Sequence, residues 1–165
     1  MFSSYSRALG TLALAALTAV CAQAQTFPSK PVTLIVPFAP GASADGIARI
    51  VARELSQAIG QPVVVDNKPG AGGALGLIAL AKAPADGYTL GMGATGAIAI
   101  NPHVPDAPPL KPERDLAAVA KVADIPLVMV AGAGQGSLKA FLNQARATPG
   151  GVSYATPGQY TAQHL

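Results

Sequence analysis

The stretch "DNKPGAGGALG", Asp66–Gly76, places a Pro-Gly turn and four glycines directly behind the β-branched run "PVVV" of Pro62–Val65. The apolar run reads as a buried strand, and "ALGLIALAKA" (Ala74–Ala83), stopped by Pro84, reads as a helix. Strand, glycine loop and helix in this order form one unit of a parallel α/β sheet.

The same unit stands immediately upstream. "PVTLIV" (Pro31–Val36) is a first strand, and "PFAPGASAD" is a Pro/Gly loop. Ile47, Ile50, Val51, Leu55, Ala58 and Ile59 then recur at helical spacing, with Arg49, Arg53, Glu54 and Gln57 opposite. Ser43 or Asp45 can cap the start of this helix, and Gly60 followed by Pro62 ends it. Downstream, "DGYTLGMG" offers a turn and a third strand. This βαβαβ order predicts parallel strands with right-handed crossovers. Loops at the carboxyl ends of such strands gather at one rim, where ligands bind, so residues 37–45, 67–73 and 93–97 are expected to converge.

The first 24 residues stand apart from that pattern. Arg7, the short apolar run "ALGTLALAALTAV" and "AQA" (Ala22–Ala24) compose a secretory signal peptide, with the cut expected between Ala24 and Gln25. A spanning helix needs about 20 apolar residues, which makes a retained anchor the poorer reading. A lipoprotein at Cys21 is the other alternative, but branched Val20 occupies the place of a small residue. Without the leader, ten basic side chains face eight acidic ones and no cysteine remains. No basic cluster occurs, so nucleic acid is not an expected partner despite the basic isoelectric point. An exported chain without disulfides rests on its core, which suits the periplasm.

"NPHVPDAPPLKP" (Asn101–Pro112) holds five prolines in twelve residues and reads as a surface connection. Beyond it, "LAAVAKVA" is ambiguous between helix and strand, while "PLVMVAG" and "VSYAT" read as strands. Ser137 caps a helix over "LKAFLNQARA", whose Leu138, Phe141, Leu142 and Ala145 share a face. "TAQHL" resembles the first turn of a helix, and its stop at Leu165 suggests a fragment of a longer protein.

Several chemistries lack their residues. No G-x-x-x-x-G-K-[ST] phosphate loop occurs. "GMGATG" (Gly91–Gly96) matches G-x-G-x-x-G, yet a dinucleotide site must open a long helix and this one meets Pro102 within six residues. There is no G-x-S-x-G elbow, and His103 and His164 are the only imidazoles, so no metal centre, cofactor or catalytic residue is assigned. His103 reads as a solvated loop residue; His164 can approach a ligand or pack under the loop. Asp45 caps the first helix or accepts from a ligand's amino or hydroxyl group. What remains is anion capture. Glycine loops expose backbone N–H groups, and helix N-termini add a favourable dipole, which together suit a carboxylate. The alternative is that these glycines only make tight turns.

The segments "FPSKPVTLIVPFAPGASAD", "DNKPGAGGALG", "ADGYTLGMGATGAIAINP" and "SYATPGQYTAQHL" together resemble the running pattern of Bug-type periplasmic solute-binding proteins of tripartite tricarboxylate transporters, from about Phe27 to the last residue. The resemblance implies two α/β lobes closing on a small carboxylate like a Venus flytrap. In this chain residues 25–103 correspond to the first lobe, 104–124 to a proline-rich crossover and 125–165 to an incomplete second lobe. It places the ligand against Phe38, Gly41, Ala42 and Ser43, against Gly70, Ala71, Gly72 and Gly73, against Thr95 and Gly96, and, from the second lobe, against Thr156, Gly158 and Thr161. Two departures stand out: Ala42 replaces a glycine, and Tyr160 stands where the family has glycine. Family members are about twice this length.

The expectation is a monomeric extracytoplasmic receptor that delivers a small carboxylate to membrane permease subunits, without chemistry. The alternatives are a periplasmic hydrolase using a serine with His164, or a truncated remnant that binds nothing.

Overall fold

The structure is a computed structural model that describes residues 26–132, 134 and 136–164. The expected signal peptide and its expected cut lie outside the described residues. Three parallel strands, β1 (Val32–Val36), β2 (Val63–Asn67) and β3 (Thr89–Gly91), form one sheet in the order β2-β1-β3. Val32 pairs with Val63 and Val36 with Asn67, while Thr33 pairs with Thr89 and Ile35 with Gly91. The βαβαβ reading of the sequence, with parallel strands, therefore holds.

Central β1 is covered on both faces, which is why it is apolar at every position but Thr33. Helix α1 (Ser43–Ile59) lies over the Leu34 and Val36 face, with Val63, Val65 and Leu90 alongside. The buried positions of α1 are Asp45, Ala48 and Ala52, whereas Ile50 is 57% exposed. The apolar stripe expected around Ile47, Ile50 and Val51 is thus rotated: only methyl-sized side chains fit where the helix presses on β1. Neither Ser43 nor Asp45 is the N-cap; Ala42 holds that place without a side-chain bond. Gly60 ends α1 in the left-handed conformation, as expected.

Helix α2 (Ala74–Ala81) is two residues shorter than its sequence pattern, because Ala83 before Pro84 is biased away from helical geometry. Its Leu77 joins Ala97 and Leu110 in a second cluster. The proline-rich stretch is therefore not purely a surface connection. Leu110 and Asn101 are both buried, and residues 101–103 form a 3₁₀ turn. "GMGATG" opens only a five-residue wide turn, Gly96–Ile100.

A staple ties residues 27–30 to the start of β3. The Tyr88 hydroxyl accepts from the Ser29 amide at 2.9 Å, Lys30 Nζ lies 4.3 Å from the Tyr88 ring centroid, and Phe27 meets that ring edge-on at 4.9 Å.

The second half departs from expectation. "PLVMVAG" and "VSYAT" are not strands, and "LAAVAKVA" has no regular structure. Val128 and Val130 are 79% and 87% exposed. A strand exists only against a ladder partner, and none lies beside these runs among the described residues. After the short helix α3 (Pro112–Asp115), helix α4 (Leu138–Ala147) forms as read, with the Ser137 hydroxyl accepting from the Ala140 amide at 3.2 Å. Its apolar face, however, buries no residue. "TAQHL" is a hydrogen-bonded turn over 161–164, its His164 amide donating to the Thr161 carbonyl. Among the described residues no helix is long and apolar enough to cross a membrane.

Candidate ligand site at the sheet's carboxyl rim

The three loops converge as the topology requires, and Gly73 marks the meeting point. A Cβ placed there would lie 3.3 Å from both the Phe38 ring and the Ala97 methyl. The chain from Gly70 to Gly73 keeps a positive φ at all four residues, including 46° at Ala71, where a side chain makes that backbone costly. The amides of Gly73 and Leu75 donate to the Gly70 carbonyl and that of Ala74 to Ala71. The N–H groups of Ala71 and Gly72 are left without an acceptor among the described residues, just ahead of the α2 N-terminus. This is a nest of donors of the kind that receives an anion.

Two side chains absent from the sequence expectation hold these loops. Asn67, the last residue of β2, donates from Nδ2 to the Phe38 carbonyl at 3.0 Å and to Asp45 Oδ1 at 2.9 Å. Asn101, buried behind the glycine loop, donates from Nδ2 to the Ala71 carbonyl at 3.2 Å. That carbonyl can only accept, so the amide nitrogen must face it. Oδ1 then has no donor among the described residues.

Asp45 is a clamp for the first loop. Its Oδ2 accepts from Arg49 Nε at 3.0 Å and from the Gly41 amide at 2.9 Å, and its side chain is almost fully buried. The Arg49 guanidinium first, then the Gly41 and Asn67 donors, hold the Asp45 carboxyl well below the usual aspartate range. A carboxyl with a depressed folded-state pKa adds stability above its unfolded value, here near 3.8, and that stability is lost as pH falls below it. Asp45→Asn is therefore expected to unfold more easily than wild type at pH 7. The difference should shrink as pH drops below about 4; urea titrations at several pH values check this. Asp86 and Asp115, whose pKa values are also lowered, remain in both proteins and cancel from the comparison.

The cavity at this rim has a volume of about 430 Å³, within the usual range for ligand pockets. Phe38, Gly70, Ala71, Gly72, Gly73, Gly158 and Thr161, all read from the sequence, line it. So do Pro37, Ala39 and Pro69, from the loops expected at this rim, and Pro157, Gln159 and Tyr160, for which the sequence gives no site role. The lining carries no charged side chain, so the loop amides and the Thr161, Tyr160 and Gln159 side chains supply its polarity. Thr161 is buried, and its hydroxyl donates to the Gly158 carbonyl at 2.7 Å.

The remaining sequence-predicted residues do not line this cavity. Gly41, Ala42, Ser43 and Asp45 build the α1 entry behind it, and the oxygens of Asp45 are occupied by protein donors. Thr95 precedes the 96–100 turn without a side-chain cap bond, and Gly96 serves the approach of the C-terminal segment: a Cβ on Gly96 would lie 2.9 Å from the Ala162 amide nitrogen. His164 Nδ1 is 3.1 Å from the Thr156 hydroxyl, outside the lining, and no serine is bonded to it among the described residues. The signals for Asn67 and Asn101 were invisible in sequence because their partners lie 29 and 30 residues away.

The chain is similar to known proteins. The family model described as "Tripartite tricarboxylate transporter family receptor" (TctC) matches residues 47–165. Protein BugT of Bordetella pertussis (strain Tohama I) is 43% identical over 145 residues, which cover 86% of this chain and 44% of BugT. A UPF0065 protein from the tcbD-tcbE intergenic region of Pseudomonas sp. (strain P51) is 41% identical over 164 residues, covering 96% of this chain and 48% of that protein. Among solved structures, that of MatC from Rhodopseudomonas palustris with bound malate is 32% identical with a TM-score of 0.68, over 73% of this chain and 42% of MatC. The chain spans about half the length of the curated relatives it matches.

Proposed function

Because the chain belongs to the tripartite tricarboxylate transporter receptor family, we propose that it is a periplasmic solute receptor, capturing a small carboxylate for the permease subunits of such a transporter. The observation that carries this reading is the rim cavity itself: converging loops with free Ala71 and Gly72 amides, and no charged side chain in the lining. A carboxylate seated there is stabilised by oriented N–H dipoles and the α2 N-terminus. No lysine or arginine lines the cavity to hold it as a buried ion pair, which favours reversible capture. MatC, of the same fold, is described with bound malate, itself a carboxylate.

In this reading residues 25–103 supply the first lobe, 104–124 the crossover and 125–165 the beginning of a second lobe whose Pro157–Thr161 segment forms the opposite wall. The receptor acts as a monomer and is delivered to the periplasm after loss of residues 1–24. It performs no chemistry: the lining holds no imidazole, thiol or carboxylate to act as base or nucleophile.

Thermal shift of the purified chain against mono-, di- and tricarboxylates, aromatic acids and amino acids tests the proposal. Since a native-state ligand stabilises by RT ln(1 + [L]/Kd), a hundredfold excess over Kd adds about 2.7 kcal/mol. A raised melting temperature with at least one class of acid is expected. No shift with any acid, accompanied by ester turnover that disappears in His164→Ala, would overturn it in favour of a hydrolase.

A further inference from the structure

Tyr160 is the least conventional residue of the cavity. Its φ is 65°, a left-handed conformation that a bulky side chain seldom adopts without compensation. The compensation is visible at both ends of the residue. Its carbonyl rests directly on Gly72, so that a Cβ on Gly72 would collide with the Tyr160 carbonyl and lie 2.9 Å from the Tyr160 Cβ. Its hydroxyl donates to the Asp106 carbonyl at 3.3 Å, on a turn where Asp106 itself has a φ of 62°. Tyr160 therefore bridges from the glycine loop, through its backbone, to the 104–107 turn, through its hydroxyl, and it is one of the residues lining the cavity. The next residue is fixed as well: the Thr161 amide and hydroxyl both donate to the Gly158 carbonyl.

From this the geometry points to Tyr160 as the residue that sets ligand length. Resting on the carboxylate-receptor reading above, the inference is that its ring closes the end of the cavity facing Asp106. The site then takes compact carboxylates and rejects those whose carbon chain would run through the ring. Glycine at this position would keep the backbone, which glycine adopts freely at φ 65°, and would open that end. Phenylalanine would keep the wall and lose only the tie to Asp106.

Calorimetric titration of the full chain with unbranched α,ω-dicarboxylates of increasing length separates these roles. Wild type should bind the short members and lose affinity steeply along the series. In Tyr160→Gly the ratio of long-chain to short-chain affinity should rise by at least about tenfold, since even one methylene in an apolar pocket is worth roughly 10- to 200-fold. Tyr160→Phe should keep the wild-type order. Tyr160→Asn, which also tolerates a left-handed backbone, should repeat the glycine result and guards against a folding defect peculiar to one variant. An unchanged ratio in both small-residue variants, with wild type binding normally, would overturn the length-setting role and leave the receptor reading intact. Absence of binding by wild type and variants alike would overturn both.

Discussion

Gly76→Ala is expected to lower the melting temperature by several degrees, even though alanine is the better helix former. Inside an ordinary helix the exchange gains up to about 1 kcal/mol. At this position the added methyl would lie 2.6 Å from Pro37 Cβ and 2.8 Å from both Pro37 Cα and the Lys68 carbonyl oxygen. None of these is the far end of a flexible side chain. Pro37 is fully buried at the end of β1, and the Lys68 amide donates to the Val36 carbonyl at 2.8 Å. Overpacking of this kind costs about 1–3 kcal/mol and occasionally more. The clash wins over the propensity gain, and each net kcal/mol lowers Tm by about 4–8 °C in a domain of 60–100 residues. Because Pro37 and Lys68 lead into the two loops of the rim, carboxylate binding should weaken in parallel. A melting temperature equal to or above wild type in a calorimetric scan would show that α2 does not approach the sheet this closely.

The second large effect is expected at Gly72 and should fall mainly on binding. Gly72→Ala would place a methyl on the Tyr160 carbonyl and hold a side chain at φ 62°. The Pro157–Thr161 wall must then shift off the glycine loop, because Tyr160 meets that loop at Gly72 and Thr161 is the wall's only buried residue. Losing that wall together with the loop's geometry should weaken carboxylate affinity by on the order of 2 kcal/mol, about thirtyfold in Kd. The cores around Leu34 and Leu77 remain untouched, so the fall in Tm should be limited to what a side chain at positive φ costs, about 1–2 kcal/mol. Limited proteolysis gives a ligand-independent reading: cleavage within 157–161 should accelerate in Gly72→Ala and stay at the wild-type rate in Gly76→Ala at temperatures below its transition. Equal cleavage rates in Gly72→Ala and wild type would mean that the wall does not depend on the Gly72 contact. Together the two variants distinguish a glycine required by helix–sheet packing from one required by the site.

What the sequence by itself determined was everything carried by short-range chemistry. Gly60 with Pro62 ends α1, Ser137 caps α4, and the β-branched runs at Val32 and Val63 become neighbouring parallel strands. These signals act within one turn or one strand, so they are legible without the fold, and the rim of converging loops follows from their order. The tertiary structure decided what depends on a distant partner. Asp45 and Asn101 became clamps because Asn67 and Ala71, far away in sequence, supply the complementary groups. Ala48 and Ala52 faced the core in place of Ile50 because the helix lies close against β1. "PLVMVAG" has every local mark of a strand and still formed none, since strand character belongs to a hydrogen-bonded pair. The glycines of "DNKPGAGGALG" divide the same way. Their freedom to turn was written in the sequence, but only packing against Pro37, Tyr160 and Phe38 decided that Gly76 serves the helix–sheet contact, Gly72 the wall and Gly73 the point where the loops meet.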